Sequence, residues 1–422
     1  MIGNLVRELR FLAQQTPSLV ALALLVVLSA ASLLLGRAEI DRQQSSIDRM
    51  RAMDVTERAE IVDGFEDYGS AAYYSFYGTW DEPSNLAFTA LGQRDVAPYM
   101  LRVRMLALEG QIYESDTLNP ELGLSGRFDY EFVVAFLLPL FVVFLLHDLI
   151  SSERESGRLP LLTATSGSGA RLWVPRAGLR ILAALVCVLL PFWAIGAGDA
   201  VGVWAAAVVS AIVVAQTGVW SAITLFLARL RRPSSAIAAM LVSAWLVLSL
   251  LVPLVGKTVV DRVSPVVEGA DISLLQRETV NDAWDLPKAA TMDRFFEVHP
   301  EWSDTGPIGT WHWKWYYAFQ HVGDLTAADL SAEYRRSIAE RDRLSGLVAF
   351  LSPAVAVQRA MQKAAQTDVT AALTYDQRIR GYHSALREFY YPLLFTERPY
   401  TSGVLADAPL FDGQLDALSD GR

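Results

Sequence analysis

Apolar residues gather in five blocks along the chain, at 19–36, 132–150, 179–198, 201–227 and 236–255. Each approaches the roughly 20 mostly apolar residues that a helix needs to cross a bilayer, and five in one chain predict a membrane protein rather than a soluble core. The first is followed by GRAEIDRQQ, which lacks a small-x-small cleavage pattern and continues as polar helix, so it reads as a retained anchor. A further run, LVAFLSPAVAVQRAM at 347–361, is short and broken by Pro353, Gln358 and Arg359. It is expected to be a core helix outside the membrane.

Two long polar segments separate or follow these blocks. The first opens with EIDRQQSSIDRMRAMDVTERAEIVDGF, predicted to prolong the first span as helix, and then turns aromatic and Gly/Pro-punctuated. The second carries helical periodicity in AADLSAEYRRSIAERDRLSGLVAFL and AVAVQRAMQKAAQ, beside turn-rich aromatic stretches such as HPEWSDTGPIGTWHWKWYYAF. The fold class expected is an all-α polytopic membrane protein, a five-span helical bundle with two largely helical extracytoplasmic domains. Its divisions are 1–36 (amino terminus and first span), 37–128 (first extracytoplasmic domain), 129–256 (transmembrane core, with a cytoplasmic helix at about 151–165) and 257–422 (second extracytoplasmic domain).

A hydrophobic content of 52% agrees with that class. The net charge of −10 says less than the position of the arginines. Arg7 and Arg10 precede span one, Arg154, Arg158, Arg171, Arg176 and Arg180 lie between or beside spans two and three, and Arg229, Arg231 and Arg232 follow span four. The positive-inside rule makes those regions cytoplasmic and leaves both long polar segments, with the carboxyl terminus, on the far side. The last segment has 23 acidic against 17 basic residues, which argues against nucleic-acid binding. The one cysteine, Cys187, can form no intramolecular disulfide. Only Lys257, Lys288, Lys314 and Lys363 stand against many arginines, a balance that, with abundant alanine, fits a GC-rich bacterial genome.

Candidate chemistry is sparse. His299, His312 and His321, with Asp304 or Asp324, could ligate a metal, but their spacing matches no metal motif, and the neighbouring Trp311, Trp313, Trp315, Tyr316 and Tyr317 predict core packing. That aromatic cluster could also seat a sugar, a lipid headgroup or a partner chain. There is no G-x-S-x-G elbow, no H-E-x-x-H and no G-x-x-x-x-G-K-[ST] loop, so neither hydrolase chemistry nor a P-loop ATP site is expected. Gln216, Thr217 and Ser221 interrupt the apolar surface of span four and should face the bundle interior, to line a translocation path or to bond a neighbouring helix. Pro191 is expected to kink span three.

The stretch HDLISSERESGRLPLLTATSGSGAR, residues 147–171, joins spans two and three. Its charged start and its leucines fit a short amphipathic helix at the inner membrane face; a solvated connector is the plainer alternative. Glu153, Glu155, Gly157, Leu159, Leu161 and Leu162 resemble the coupling-helix region of ABC-2-type transporter permeases, with Arg158 where that family commonly has Thr. GQRDVAPYMLRVRMLALEGQIYESDTLNPELGLSGRFDYEF, WDLPKAATMDRFFEVHPEW and HWKWYYAFQHVGD look like a subfamily with large extracytoplasmic inserts, so the resemblance extends over nearly the whole chain. It implies a permease in a bacterial inner membrane, pairing with a second permease chain (as homodimer or heterodimer) among membrane lipids. A separate ATP-binding subunit, with its own ATP and Mg, would dock on Glu153, Arg154, Glu155, Gly157, Leu159, Leu161 and Leu162. No cofactor is expected in this chain. The family commonly has six spans and this chain shows five. The expected function is ATP-driven export; the alternative is a subunit that transmits ATP-driven motion to a periplasmic protein without moving cargo.

Overall fold

The computed structural model describes residues 2–113, 128–166, 169–198, 201–305 and 312–411. Trp311 and the carboxyl terminus, used above to reason about packing and topology, lie outside the described residues, as does the Arg171 side chain. The chain is an all-α polytopic membrane protein. Among the described residues five helices are long and apolar enough to cross a membrane, at Thr16–Glu60, Tyr130–Glu155, Leu172–Gly196, Val203–Ala228 and Ser234–Val263. They are called spans one to five below.

Span one does not stop at the membrane. It belongs to a single 49-residue helix, Thr16–Gly64, started by Pro17 in its first turn and continued by the polar sequence after Gly36. At 1.5 Å per residue this rod is about 73 Å long, more than twice the hydrocarbon thickness. Span three is part of the 28-residue helix Gly169–Gly196, which runs on through both Pro175 and Pro191.

Spans two and five share a device. In each, a five-residue π-helical turn (Val133–Leu137 and Val247–Leu251) lies just ahead of a proline, Pro139 and Pro253. Proline has no N–H for the carbonyl four residues back. In span two that carbonyl belongs to Ala135, and the Gln216 side chain of span four donates to it at 3.2 Å. Trp245 Nε1 of span five donates to the next carbonyl, Phe136 O, at 3.1 Å. In hydrocarbon such freed carbonyls must be satisfied by protein, so these bonds fix the packing of three spans.

The two polar segments, expected as two domains, fold into one body. Ile47, Tyr77 and Met105 from the first share a buried cluster with Phe295, Tyr317, Tyr390 and Phe395 from the second. The segment after the long helix is less helical than expected. It contains an antiparallel pair of strands, Tyr77–Trp80 and Met100–Val103, in the register Tyr77↔Val103. A polar seam joins the halves. Asp324 accepts from the backbone N–H of Leu108 (2.7 Å) and Glu109 (3.0 Å) and pairs with Arg387, while Arg380 pairs with Glu109 at 2.9 Å. The rod enters the same body: Arg94 Nε donates to Gln43 at 3.0 Å, and Arg58 to the Tyr382 hydroxyl at 2.7 Å. At the membrane boundary the body also rests on the rod. A Cβ on Gly36 would lie 2.1 Å from Phe88 O, so only glycine permits that approach.

The run 347–361 is not a helix within the polar body. It is the junction of two helices, Trp313–Leu351 and Pro353–Ala365, and Ala354, Val357 and Met361 are buried in the same cluster as Val134, Val209 and Val213 of the spans. The pattern concealed this, because a helix packed on spans and one packed on a soluble core bury the same kinds of residue.

Candidate functional site

The end of span two and the segment leading to span three form two short helices, Ser151–Glu155 and Leu159–Ser166, rather than one amphipathic helix. Gly157 causes the break. Its φ of +70° is left-handed, and the bonds Gly157 N–H to Arg154 O and Arg158 N–H to Glu153 O, both 3.0 Å, close a Schellman ending. Open space surrounds the Gly157 Cα, so the backbone angle rather than crowding selects glycine here.

Two consecutive charged residues hold the neighbouring spans. Arg154 donates to Leu230 O at 2.8 Å, just past the carboxyl end of span four, and Glu155 accepts the backbone N–H of Ser234, the first residue of span five, at 2.5 Å. Cation at a helix carboxyl end and carboxylate at an amino end is the arrangement that both helix dipoles favour. Ser234 Oγ also donates to Ser151 Oγ at 2.8 Å. The segment thus clamps the turn between spans four and five.

Glu153 is turned the other way and buried. Its carboxylate accepts from Arg158 at 2.8 Å and from Arg176 at 3.2 Å, and Arg176 in turn donates to Glu8 at 2.9 Å. Arg176 also lies over the Phe11 ring, 5.0 Å from its centroid. Through this chain of charges the amino-terminal helix Ile2–Ala13 is tied to the segment. Arg180 is buried nearby, bonding Leu145 O of span two at 2.5 Å and Gln15, beside the start of span one, at 3.0 Å. Charge at span ends signalled Arg176 and Arg180; sequence could not show that Glu8 and Glu153 would pair with Arg176, Gln15 with Arg180, or Ser234 with Glu155.

Of the seven residues expected to meet a partner, Glu153 is therefore enclosed within the chain. Arg154 is half-buried, and Glu155 is exposed yet engaged with Ser234. Leu161 is 67% exposed beside an exposed Pro160, and Leu159 and Leu162 are half-buried. The outward surface runs from Glu155 through Arg158 and Pro160 to Thr165, and Leu161 is its one large apolar side chain, with the Arg158 cation nearby in sequence.

Gln216, Thr217 and Ser221 of span four are buried. Gln216 is spent on Ala135 O, and Thr217 donates to its own helix at Val213 O, 2.8 Å. Ser221 Oγ and Trp220 Nε1 are buried without a partner among the described residues. Gln216, Thr217 and Thr224, which donates to Trp220 O at 2.7 Å, therefore bond within the bundle.

The histidines meet the aromatic core. His299 and His321 stack edge to face with ring centroids 4.9 Å apart, and His321 Nδ1 lies 2.8 Å from the Tyr391 hydroxyl. Burial and the nearby Arg387 guanidinium push His321 down to about 2 and His383 down to about 3, so both are neutral. His312 instead accepts from Lys314 N at 3.1 Å at the start of its helix. Among the described residues no three of His, Cys, Asp and Glu converge as metal ligands.

A family described as "Domain of unknown function (DUF3526)" matches residues 271–413, which is most of the second polar segment and about a third of the chain. No curated protein and no solved structure matches the chain.

Proposed function

We propose that the chain is the membrane-spanning permease subunit of an ABC-2-like exporter in a bacterial inner membrane. A separate ATP-binding subunit would dock on the two short helices at the arginine-rich end of the bundle. That end is cytoplasmic by the positive-inside rule. Two permease chains would pair, and movement of the span ends would open a path between them. One observation carries this reading: Arg154 and Glu155 grip the facing ends of spans four and five, while Pro160 and Leu161 on the same segment point outward. Pressure on that outward spot is delivered to spans two, three, four and five together. A plain connector needs neither the clamp nor an exposed leucine.

The test is co-purification with the ATP-binding subunit and stimulation of its ATPase activity. Leu161→Asp should leave the permease inserted and monodisperse yet lose both, because an apolar anchor at the centre of an interface typically carries about 2 kcal/mol or more. Glu39→Ala, in the polar part of the long helix after Gly36, should lose neither. Retention of full binding and stimulation by Leu161→Asp would remove the segment from the interface.

A second reading, transmission of motion to a partner on the far side without cargo, is favoured by the uninterrupted helix Thr16–Gly64, which joins the inner face directly to the polar body. ATP-driven distance changes between labels in the polar body, in vesicles across which no cargo moves, would select it.

A further inference from the structure

Charge positions set the depth of span five. It begins at Ser234, directly after Arg229, Arg231 and Arg232, and its first charged residue is Lys257. Twenty-three residues of helix rise about 34 Å, close to the hydrocarbon thickness of about 30 Å. Lys257 therefore marks the far interface, and everything between Ser234 and that level is in lipid or against protein.

The helix Trp313–Leu351 descends antiparallel to this span. Arg341 pairs with Asp261, above Lys257, and lower down Val348 packs on Gly256, where a Cβ would be only 2.7 Å away. Lower still, Leu351 shares an apolar groove with Leu251 and Val252. Those two residues are 17 and 18 positions above Ser234, a height of about 26 Å. The tip of the descending helix thus lies below the plane of the first charge.

Three independent features suit such a depth. The 15 residues 344–358 contain no charge, although Arg343 and Arg359 bracket them. Their outward side chains are apolar: Phe350 is 94% exposed, with Leu347 at 69% and Leu351 at 66%. In water this trio would be an unusual surface. The chain reversal also leaves few free backbone groups. Ser352 N–H donates to Val348 O at 2.9 Å, Ser352 O accepts from Ala356 N at 3.0 Å, and Pro353 has no N–H. That economy is what a bilayer demands of any non-helical turn. The opposite face of the returning helix is buried among the spans through Ala354, Val357 and Met361, which holds the elbow at this level.

We propose that residues 344–357 form a re-entrant elbow whose tip, Leu347, Phe350 and Leu351, is immersed in the acyl chains of the far leaflet. The occupant of this apolar surface is lipid, because the patch is continuous with the exposed flank of span five at Leu254, Val255 and Val259. The polar body is thus held to the membrane by a second wedge, besides the helix Thr16–Gly64 and the end of span five. This inference rests on the depth of the spans alone and stands whether or not the chain drives export.

The experiment places a nitroxide at Phe350→Cys in a Cys187→Ala background, with the full-length chain in phosphatidylcholine/phosphatidylglycerol nanodiscs. Relaxation by oxygen, which enriches in acyl chains, is compared with relaxation by a water-soluble nickel chelate. Glu340→Cys, on the same helix above the charge plane, is the reference. The oxygen-to-nickel ratio should be several-fold higher at 350 than at 340, and Leu347→Cys should agree if the first variant fails to insert. Equal or lower ratios at both tip positions would overturn the proposal. So would protection from both reagents with dipolar broadening between copies, because a second chain would then cover the patch.

Discussion

Glu131 shows how one residue can be held against its own preference. It lies at the top of span two, 5% exposed; one carboxylate oxygen accepts from Gln362 at 3.0 Å and the other has no hydrogen-bond partner among the described residues. Burying such an oxygen costs free energy that a neutral amide avoids in large part. Glu131→Gln should raise the detergent-phase melting temperature by a few degrees, as about 1 kcal/mol would, and an unchanged or lower melting temperature would show that the carboxylate is needed. His321 and His383 make the opposite demand on pH. Their folded values, about 2 and about 3, lie below the ordinary imidazole value of about 6.5. A depressed folded value means stability that is full above pH 6.5 and lost as pH falls, because only the unfolded chain takes up the proton. Each contributes a loss of about 1.4 kcal/mol per pH unit below 6.5. Unfolding of the polar body should become easier between pH 6.5 and 5, and His383→Gln should flatten that slope by about half. A pH-independent melt would contradict neutral burial.

At the scale of elements the rod Thr16–Gly64 carries the sharpest prediction. Ser45 is exposed on it, well past the membrane boundary, and donates only to Asp41 O within its own helix. Ser45→Pro should cost about 3 kcal/mol locally and kink the rod without touching the polar body's core. If, as proposed, the chain stimulates a partner ATPase and the rod transmits motion, that stimulation should survive while label movements in the polar body fall away; unchanged movements would mean that spans two to five carry the signal instead. The rod was legible in sequence, since an apolar block running into a helix-favouring polar stretch with no Gly or Pro after Gly36 predicts continuous helix. The spans were legible for the same reason. The segment 151–166 was readable in composition but not in geometry. Glu153 and Glu155 look equivalent in SSERESG, but two positions apart on the helix Ser151–Glu155 they face nearly opposite ways, one inward to Arg176 and the other toward Ser234. The strand pair was missed because Tyr77–Trp80 and Met100–Val103 are four residues each, too short for alternation to register.

The molecule as a whole is tied together by partners far apart in sequence: Tyr77 with Tyr390, Thr79 with Tyr375, Gln320 with Ala107. Sequence gave no sign of these pairings, because each residue taken singly is an ordinary aromatic or polar core group. Their spacing has a consequence for biosynthesis. The first polar segment cannot complete its core until the helix Val369–Phe395 has been made and, by the positive-inside rule, carried to the far side. At about 5–20 residues per second, the roughly 280 residues after Tyr113 take on the order of 15–60 s to synthesise. During that interval Ile47, Tyr77 and Met105 remain uncovered. A chain ended after residue 263 should insert all five spans yet be cut rapidly by protease within residues 65–113, and full-length chains pulse-labelled for a few seconds should acquire resistance there only after a lag of that order.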